Sequence, residues 1–281
     1  MAFEASREQE QLGLEFRKIR EDRGLTLEVV ARALNWDRRT LSRKESAKIQ
    51  ISNEDVLALC GFYKLSGPET ARLSAMAVRS RTDRWWEEYK GYISDPYYRQ
   101  IGLENDAVRV RAVRPSVVHG LLQTDQYMQA VYNATGVVLD PYRTKAHMRV
   151  RQLRRRRLTE PTPLRLDVVM TDSVLDKDFN RPDALYEQLV QMLELSRKPN
   201  INIQFISDEA PVIVDQSELF EFGDLGGAAV AVIEPVFGVM ITDNELQVDG
   251  CRSVIEHISA AARSVEQSAE LLEEKVKEHI T

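Results

Sequence analysis

The sequence predicts an α+β chain, with an all-α helix-turn-helix domain followed by a larger domain that mixes strands and helices. Three observations predict it. Residues 24–45, GLTLEVVARALNWDRRTLSRKE, carry the capped helix, the break and the second short helix of a helix-turn-helix. Beyond about residue 107, stretches of period-two alternation interrupt the helical periodicity. A chain of 281 residues also exceeds one typical domain, so two are expected, at 1–79 and 80–281.

In the first region helices are expected at about 8–23, 27–34, 38–46, 53–63 and 67–79. Thr26 is placed to cap the second, whose Val29, Val30, Ala31 and Leu34 form an apolar face. Ala31 is the small residue that lets two helices cross closely. Asn35 and Trp36 break the run, and Asp37 caps a third helix on which Leu41 points inward. That leaves Arg38, Arg39, Thr40, Ser42 and Arg43 outward, groups suited to base edges and phosphates. Ser52 begins a capping signal with Glu54 and Asp55 in the first turn of the fourth helix, and Ser66-Gly67-Pro68 sets off the fifth.

The second region opens on an aromatic stretch holding Trp85, Trp86, Tyr89, Tyr92, Tyr97 and Tyr98. Strands are expected at 107–113, 164–170, 201–206, 217–222, 228–233 and 236–241, with turns at 223–227 and at Glu234-Pro235. In the first strand Val108, Val110 and Ala112 alternate with Arg109 and Arg111, as on a half-buried sheet face. Helices are expected from Thr124 to 134, over 142–158 and 183–196, and as one long closing helix over 249–278.

Composition narrows the function. Net charge is −6, yet residues 1–80 hold 14 Lys and Arg against 12 Asp and Glu, a net of +2, leaving −8 for the remainder. A polyanion partner would meet a small basic patch, and few phosphate contacts per subunit call for dimerisation. Cys60 and Cys251 form no CxxC, so neither a disulfide framework nor a zinc site is expected. The start of the chain has no apolar signal core, and no apolar run approaches the roughly 18 residues of a membrane span. A cytoplasmic, nucleoid-associated protein is expected. His119, His147, His257 and His279 are scattered, and no nucleophile elbow, phosphate loop or dinucleotide fingerprint is present, so neither an enzyme nor a cofactor is expected.

The first region resembles the lambda-repressor-like helix-turn-helix regulators of the Xre family, a likeness that extends upstream through LGLEFRKIREDRGLT. The resemblance implies double-stranded DNA as partner, and an interface of Thr26, Asp37, Arg38, Arg39, Thr40, Ser42, Arg43 and Lys44. It also implies a structural ion pair between Arg20 and Glu45. Leu27 stands where a phosphate-contacting Gln is usual, Lys44 where an apolar residue is usual, and Ala47 where Gly usually ends the helix. The second region, through WWEEY, IGLENDA, HGLLQTDQYMQA, RQL and LELSRKPNINIQF in that order, resembles the WhiJ-like, antitoxin-like regulators of actinobacteria. That likeness implies a small companion protein of the BldB type, and the two half-sites usual for helix-turn-helix operators lead to the expectation of a homodimer. His119 replaces the family's usual Pro, a change expected to loosen a turn.

Several features carry two readings. The arginines at 149, 151 and 154–157 suit a solvated helix face paired with acidic neighbours, or a grip on phosphates or an acidic partner. The aromatic stretch suits a linker glued to the domain core, or a small-molecule pocket. Asp172, Asp176 and Asp178 lack the Gly and closing Glu of a calcium loop and are expected to cap helices. The leading reading is a transcriptional regulator, a repressor acting with its companion. The alternatives are an antitoxin-like interaction protein whose DNA binding is autoregulatory, and a metabolite-sensing repressor.

Overall fold

The computed structural model describes residues 7–79, 84–136, 140–212, 215–222, 229–233 and 239–279. The chain divides into two compact units, Met1–Trp85 and Trp86–Thr281. The domain boundary expected after residue 79 adjoins residues 80–83, which lie outside the described ones.

The first unit consists of α1 (Arg7–Asp22), α2 (Leu27–Ala33), α3 (Arg38–Glu45), α4 (Asn53–Tyr63) and α5 (Gly67–Arg79). Local chemistry sets the breaks. Gly24 takes φ +63° to end α1, a conformation that costs a glycine little. Thr26 and Asp37 cap α2 and α3 through their side-chain oxygens. Ser52 and Asp55 form a reciprocal capping box on α4. Leu12, Phe16, Val30, Ala31, Leu41, Val56, Leu59 and Tyr63 fill the core. Val29, expected on the inner face, is instead 49% exposed. The run Val29-Val30-Ala31 is too long for one side of a helix that turns about 100° per residue, and Val30 and Ala31 take the inside.

The second unit is built on a six-stranded sheet of order β3-β2-β1-β4-β5-β6. Its strands are β1 (Arg109–Arg114), β2 (Arg165–Thr171), β3 (Ile201–Ile206), β4 (Ser217–Glu221), β5 (Ala229–Ile233) and β6 (Met240–Thr242). β1, β2 and β3 pair in parallel, whereas β4, β5 and β6 join antiparallel. Parallel neighbours need crossovers. α7 (Asp125–Ala134) and α8 (Pro141–Arg154) lie between β1 and β2, and α9 (Pro182–Ser196) between β2 and β3. The expected turns at 223–227 and at Glu234-Pro235 fall outside the described residues.

Period-two alternation sends the strand side chains to two separate cores. Val110, Ala112, Leu166, Val168, Met170, Ile203 and Phe205 pack with Tyr127, Leu185, Leu189 and Met192 on one face. Val113, Val169, Ile206, Leu219 and Ala231 pack against Val248, Cys251, Ile255 and Ile258 on the other. The face carrying Arg109 and Arg111 is therefore covered rather than open to water. Arg111 is held by Glu221 and Glu256, each at 2.9 Å.

Three expectations about elements are corrected. The closing helix is two, α10 (Glu245–Ala261) and α11 (Val265–Glu278). Ser264 and Gln267 form a capping box that restarts the helix, the Arg263 amide donates to the Phe205 carbonyl at 2.9 Å, and the Phe205 amide donates to Ser268 Oγ at 3.0 Å. The break lets Ile255 and Ile258 serve one sheet face and Leu272 the other. A further helix, α6 (Asp95–Asp106), occupies the end of the aromatic stretch, where Pro96 at its first turn was the unread start signal. Of the three aspartates, Asp172 pairs with Arg263, Asp176 with Lys275 at 2.8 Å, and Asp178 turns its carboxylate onto the Asn180 amide. Only Asp176 occupies a cap position, the C-cap of the short 3-10 turn Asp172–Leu175, which starts from Thr171.

Gln188 on α9 is fully buried and closes the loop before α7. Its Oε1 accepts from the Thr124 amide at 2.7 Å and its Nε2 donates to the Leu122 carbonyl at 2.8 Å. Replacing it by Leu orphans the buried Thr124 amide, worth about 1 to 3 kcal/mol, whereas the Leu122 carbonyl keeps Gln191 Nε2 at 2.6 Å. Gln188→Leu should therefore lower the unfolding free energy by about 1 to 3 kcal/mol in urea titration, with a neutral result showing that the Thr124 amide finds another partner.

Candidate nucleic-acid interface

α3 is the element on which the candidate site is built. Its eight residues turn Leu41, Lys44 and Glu45 inward and leave Arg38, Arg39, Ser42 and Arg43 exposed, with Thr40 half-buried. This split follows from helical spacing, since 41, 44 and 45 stand at i, i+3 and i+4. Arg38 meets Glu28 of α2 at 2.6 Å, but both side chains are mostly in water, where such a pair contributes little and exchanges readily for another anion. Among the described residues no carboxylate lies within ion-pair distance of Arg39 or Arg43. The exposed side of α3 thus offers three guanidiniums and a hydroxyl on one surface.

Two features fix this helix from beneath. Arg20 of α1 grips Glu45 bidentately, Nε to Oε1 at 2.7 Å and Nη2 to Oε2 at 2.8 Å, and gives Nη1 to the Leu25 carbonyl at 3.1 Å. Both residues are buried, and the hydrogen bond to Glu45 raises the arginine's pKa above its ordinary value. Gly13 of α1 is the second feature. A Cβ there would sit 2.8 Å from the Glu45 carbonyl oxygen and 2.9 Å from that of Lys44, so α1 meets the backbone of α3 directly. Sequence reasoning missed Gly13; a lone glycine inside a helical pattern was the available sign.

Lys44 does not belong to the exposed face, and its expected place at the DNA is corrected. It is 9% exposed, its ammonium pairs with Asp55 and donates to the Gln50 carbonyl at 3.1 Å, and it lies over the Trp36 ring. The apolar stem fills the position where an apolar residue was expected while the charge finds the capping carboxylate of α4. Thr26 Oγ1 and Asp37 Oδ1 accept from the amides of Val29 at 3.3 Å and Arg39 at 2.7 Å, so these two position the helix starts. Leu27 is half-buried against the core.

Beyond Glu45 the chain leaves α3 through Ala47 at φ +49°. The Lys48 amide donates to the Arg43 carbonyl at 2.8 Å and the Ala47 amide to that of Lys44 at 3.0 Å, the paired bonds of a Schellman ending. Glycine would adopt this conformation without strain, and alanine holds it at a cost of about 1 kcal/mol.

The arginine run of the second unit is not one solvated face. Arg149 and Arg156 are exposed, but Arg154 is buried against Glu104 and Tyr97. Arg155 pairs with Asp125, and Arg157 with Glu160 at 2.7 Å. α8 ends at Arg154 and tightens into a 3-10 turn, Arg155–Leu158, which rotates successive arginines toward different partners.

Residues 11–73 match a family described as a helix-turn-helix domain, the kind of module that marks DNA-binding regulators. Residues 98–274, more than half of the chain, match a family described as a domain of unknown function (DUF5753). No curated relative matches the chain. Among the described residues no helix is long and apolar enough to cross a membrane.

Removing one member of the buried pair leaves a charge without its counter-ion. Glu45→Ala in the full chain should cost the first unit about 3 to 5 kcal/mol, whereas the matched apolar change Arg20→Met with Glu45→Leu should cost less. Denaturant unfolding followed at Trp36 reads both variants. An unchanged midpoint for Glu45→Ala would mean that the pair does not support α3.

Proposed function

Since the chain belongs to the DUF5753 family and carries a helix-turn-helix domain ahead of that region, we propose that it is a sequence-specific transcriptional regulator that reads double-stranded DNA with α3. One observation carries the reading: Arg38, Arg39, Ser42 and Arg43 share an exposed face on a helix that is fixed from beneath by Arg20, Glu45 and Gly13. A rigid helix bearing planar, permanently charged donors suits the major groove, where arginine pairs bidentately with guanine O6 and N7. Thr26 and Asp37 contribute by holding the helix starts.

The finer parts of this proposal rest on the WhiJ-like resemblance and on charge. A first region of net charge +2 with a single recognition helix makes few phosphate contacts, so the working form is a homodimer on two half-sites. The second unit is the assembly and regulatory part, and a small companion protein of the BldB type binds there. The protein acts as a repressor in the cytoplasm, associated with the nucleoid, and performs no catalysis.

The direct test compares variants on an operator-bearing duplex and on random duplex. Arg38→Ala and Arg43→Ala should each lose about 1 to 3 kcal/mol on the operator and relax preference at one guanine position, with little change on random DNA. Equal weakening on both duplexes would assign these side chains to phosphates and remove them from base readout.

A further inference from the structure

The second unit contains a half-open cleft whose chemistry the DNA reading does not use. A cavity of about 280 Å³ opens between α6, α8 and the segment that follows β1. Arg114, Arg151 and Arg154 reach it together, beside Tyr97, Gln100 and Gly120. Three guanidiniums around so small a volume need explaining, because like charges repel strongly where water is scarce.

Two of the three are neutralised from behind. Arg154 is buried and bidentate to Glu104, with Nε to Oε1 at 2.9 Å, and donates Nη1 to the Tyr97 hydroxyl at 2.9 Å. Burial opposes its charge, yet Glu104 and Tyr97 hold its pKa above the ordinary arginine value. Arg114 pairs with Glu218, a buried carboxylate that also accepts from Gln100 Nε2 at 2.6 Å. Arg151 differs. Its Nη1 donates to the neutral Gln123 Oε1 at 2.7 Å, and among the described residues no carboxylate lies within ion-pair distance of it. Among the described residues the three cations thus meet two carboxylates, and Arg151 is the one held by a neutral group.

His119 lies beside the same guanidiniums. It is fully buried next to Glu218, and burial together with Arg114, Arg154 and Arg151 keeps its pKa well below the ordinary histidine value. The Leu121 amide donates to Nδ1 at 3.3 Å, so the neutral imidazole donates Nε2–H to the Glu218 carboxylate at 2.9 Å. The turn expected to be loosened by His119 is instead fastened by it. Gly120 supplies a further observation. Its φ lies outside the left-handed region, so the backbone does not demand glycine there. A Cβ at this position would stand 3.5 Å from Arg154 Nη1 and 4.0 Å from Arg151 Nη1. Any longer side chain would occupy the space those two guanidiniums face.

We propose that this cavity binds a small organic monocarboxylate, its carboxylate between Arg151 and Arg154 in front of Gly120 and its apolar part against Val118 and Val131. Guanidiniums match carboxylates in planar, bidentate fashion. Arg151, the one guanidinium of the three without a carboxylate among the described residues, matches a single negative charge rather than a phosphate dianion, and the volume, at the lower end of ligand sites, selects a small molecule. The site stands whether or not the first unit reads DNA.

Ligand-observed NMR on the full chain tests the assignment with benzoate, phenylacetate and isovalerate, each beside its neutral amide, and with phenyl phosphate. At least one carboxylate should bind saturably, with its amide at least about tenfold weaker once the charge-assisted bonds are gone. Arg151→Met, which keeps the apolar stem, should weaken that carboxylate about tenfold or more, and Gly120→Val should abolish binding, each with an unchanged far-UV circular dichroism spectrum, although Arg151→Met leaves the buried Gln123 Oε1 unpaired and lowers its own midpoint. The proposal is overturned if no carboxylate saturates, if an amide matches its acid, or if Arg151→Met binds as the parent does. Tighter binding of phenyl phosphate would overturn the monoanion assignment.

Discussion

The bond between α1 and α3 is what the first unit depends on. Helix-turn-helix recognition requires a short helix to be held by something other than itself, because eight residues do not sustain a helix in water. Here Leu41 anchors one side, Arg20 and Glu45 close a bidentate pair beneath the last turn, and Gly13 removes the side chain that would keep the two backbones apart. Lys44 adds a second inward cation, matched by Asp55 at the start of α4. Because the inward charges find inward partners, the outward arginines are left to the surface.

The second unit manages buried charge by the same rule with a different result. Arg109, Arg111, Asp167 and Glu221 cross-link one face of the sheet beneath α10, where the charges balance. Around Glu104 and Glu218, among the described residues, Arg151 finds a neutral amide in place of a carboxylate, and it does so beside an open volume. A buried pair contributes little net stability once desolvation is counted, so such groups mark specificity or binding more than strength.

Much of this was legible in the sequence, and what was missed has physical causes. Capping residues and apolar spacing gave the helices of the first unit and the pair of Arg20 with Glu45 came from the family resemblance. Lys44 was misplaced because a lysine reads as exposed unless its stem and its ammonium are given separate environments. Residues 262–264 contain no Gly or Pro, so periodicity carries one closing helix through them, although Ser264 and Gln267 spell a capping box. His119 and Gly120 looked like a turn. Their meaning depends on arginines some 30 residues away in sequence, which period and propensity do not bring together.

The claim on which the account turns is that α3 reads base sequence. Repeated selection of the full chain on a random duplex pool, at near-physiological salt, measures this directly. The account predicts convergence on one short motif that contains guanine and recurs as two half-sites about one helical turn apart. A pool that stays unenriched while the protein still retains DNA in bulk would contradict it, leaving only phosphate attraction.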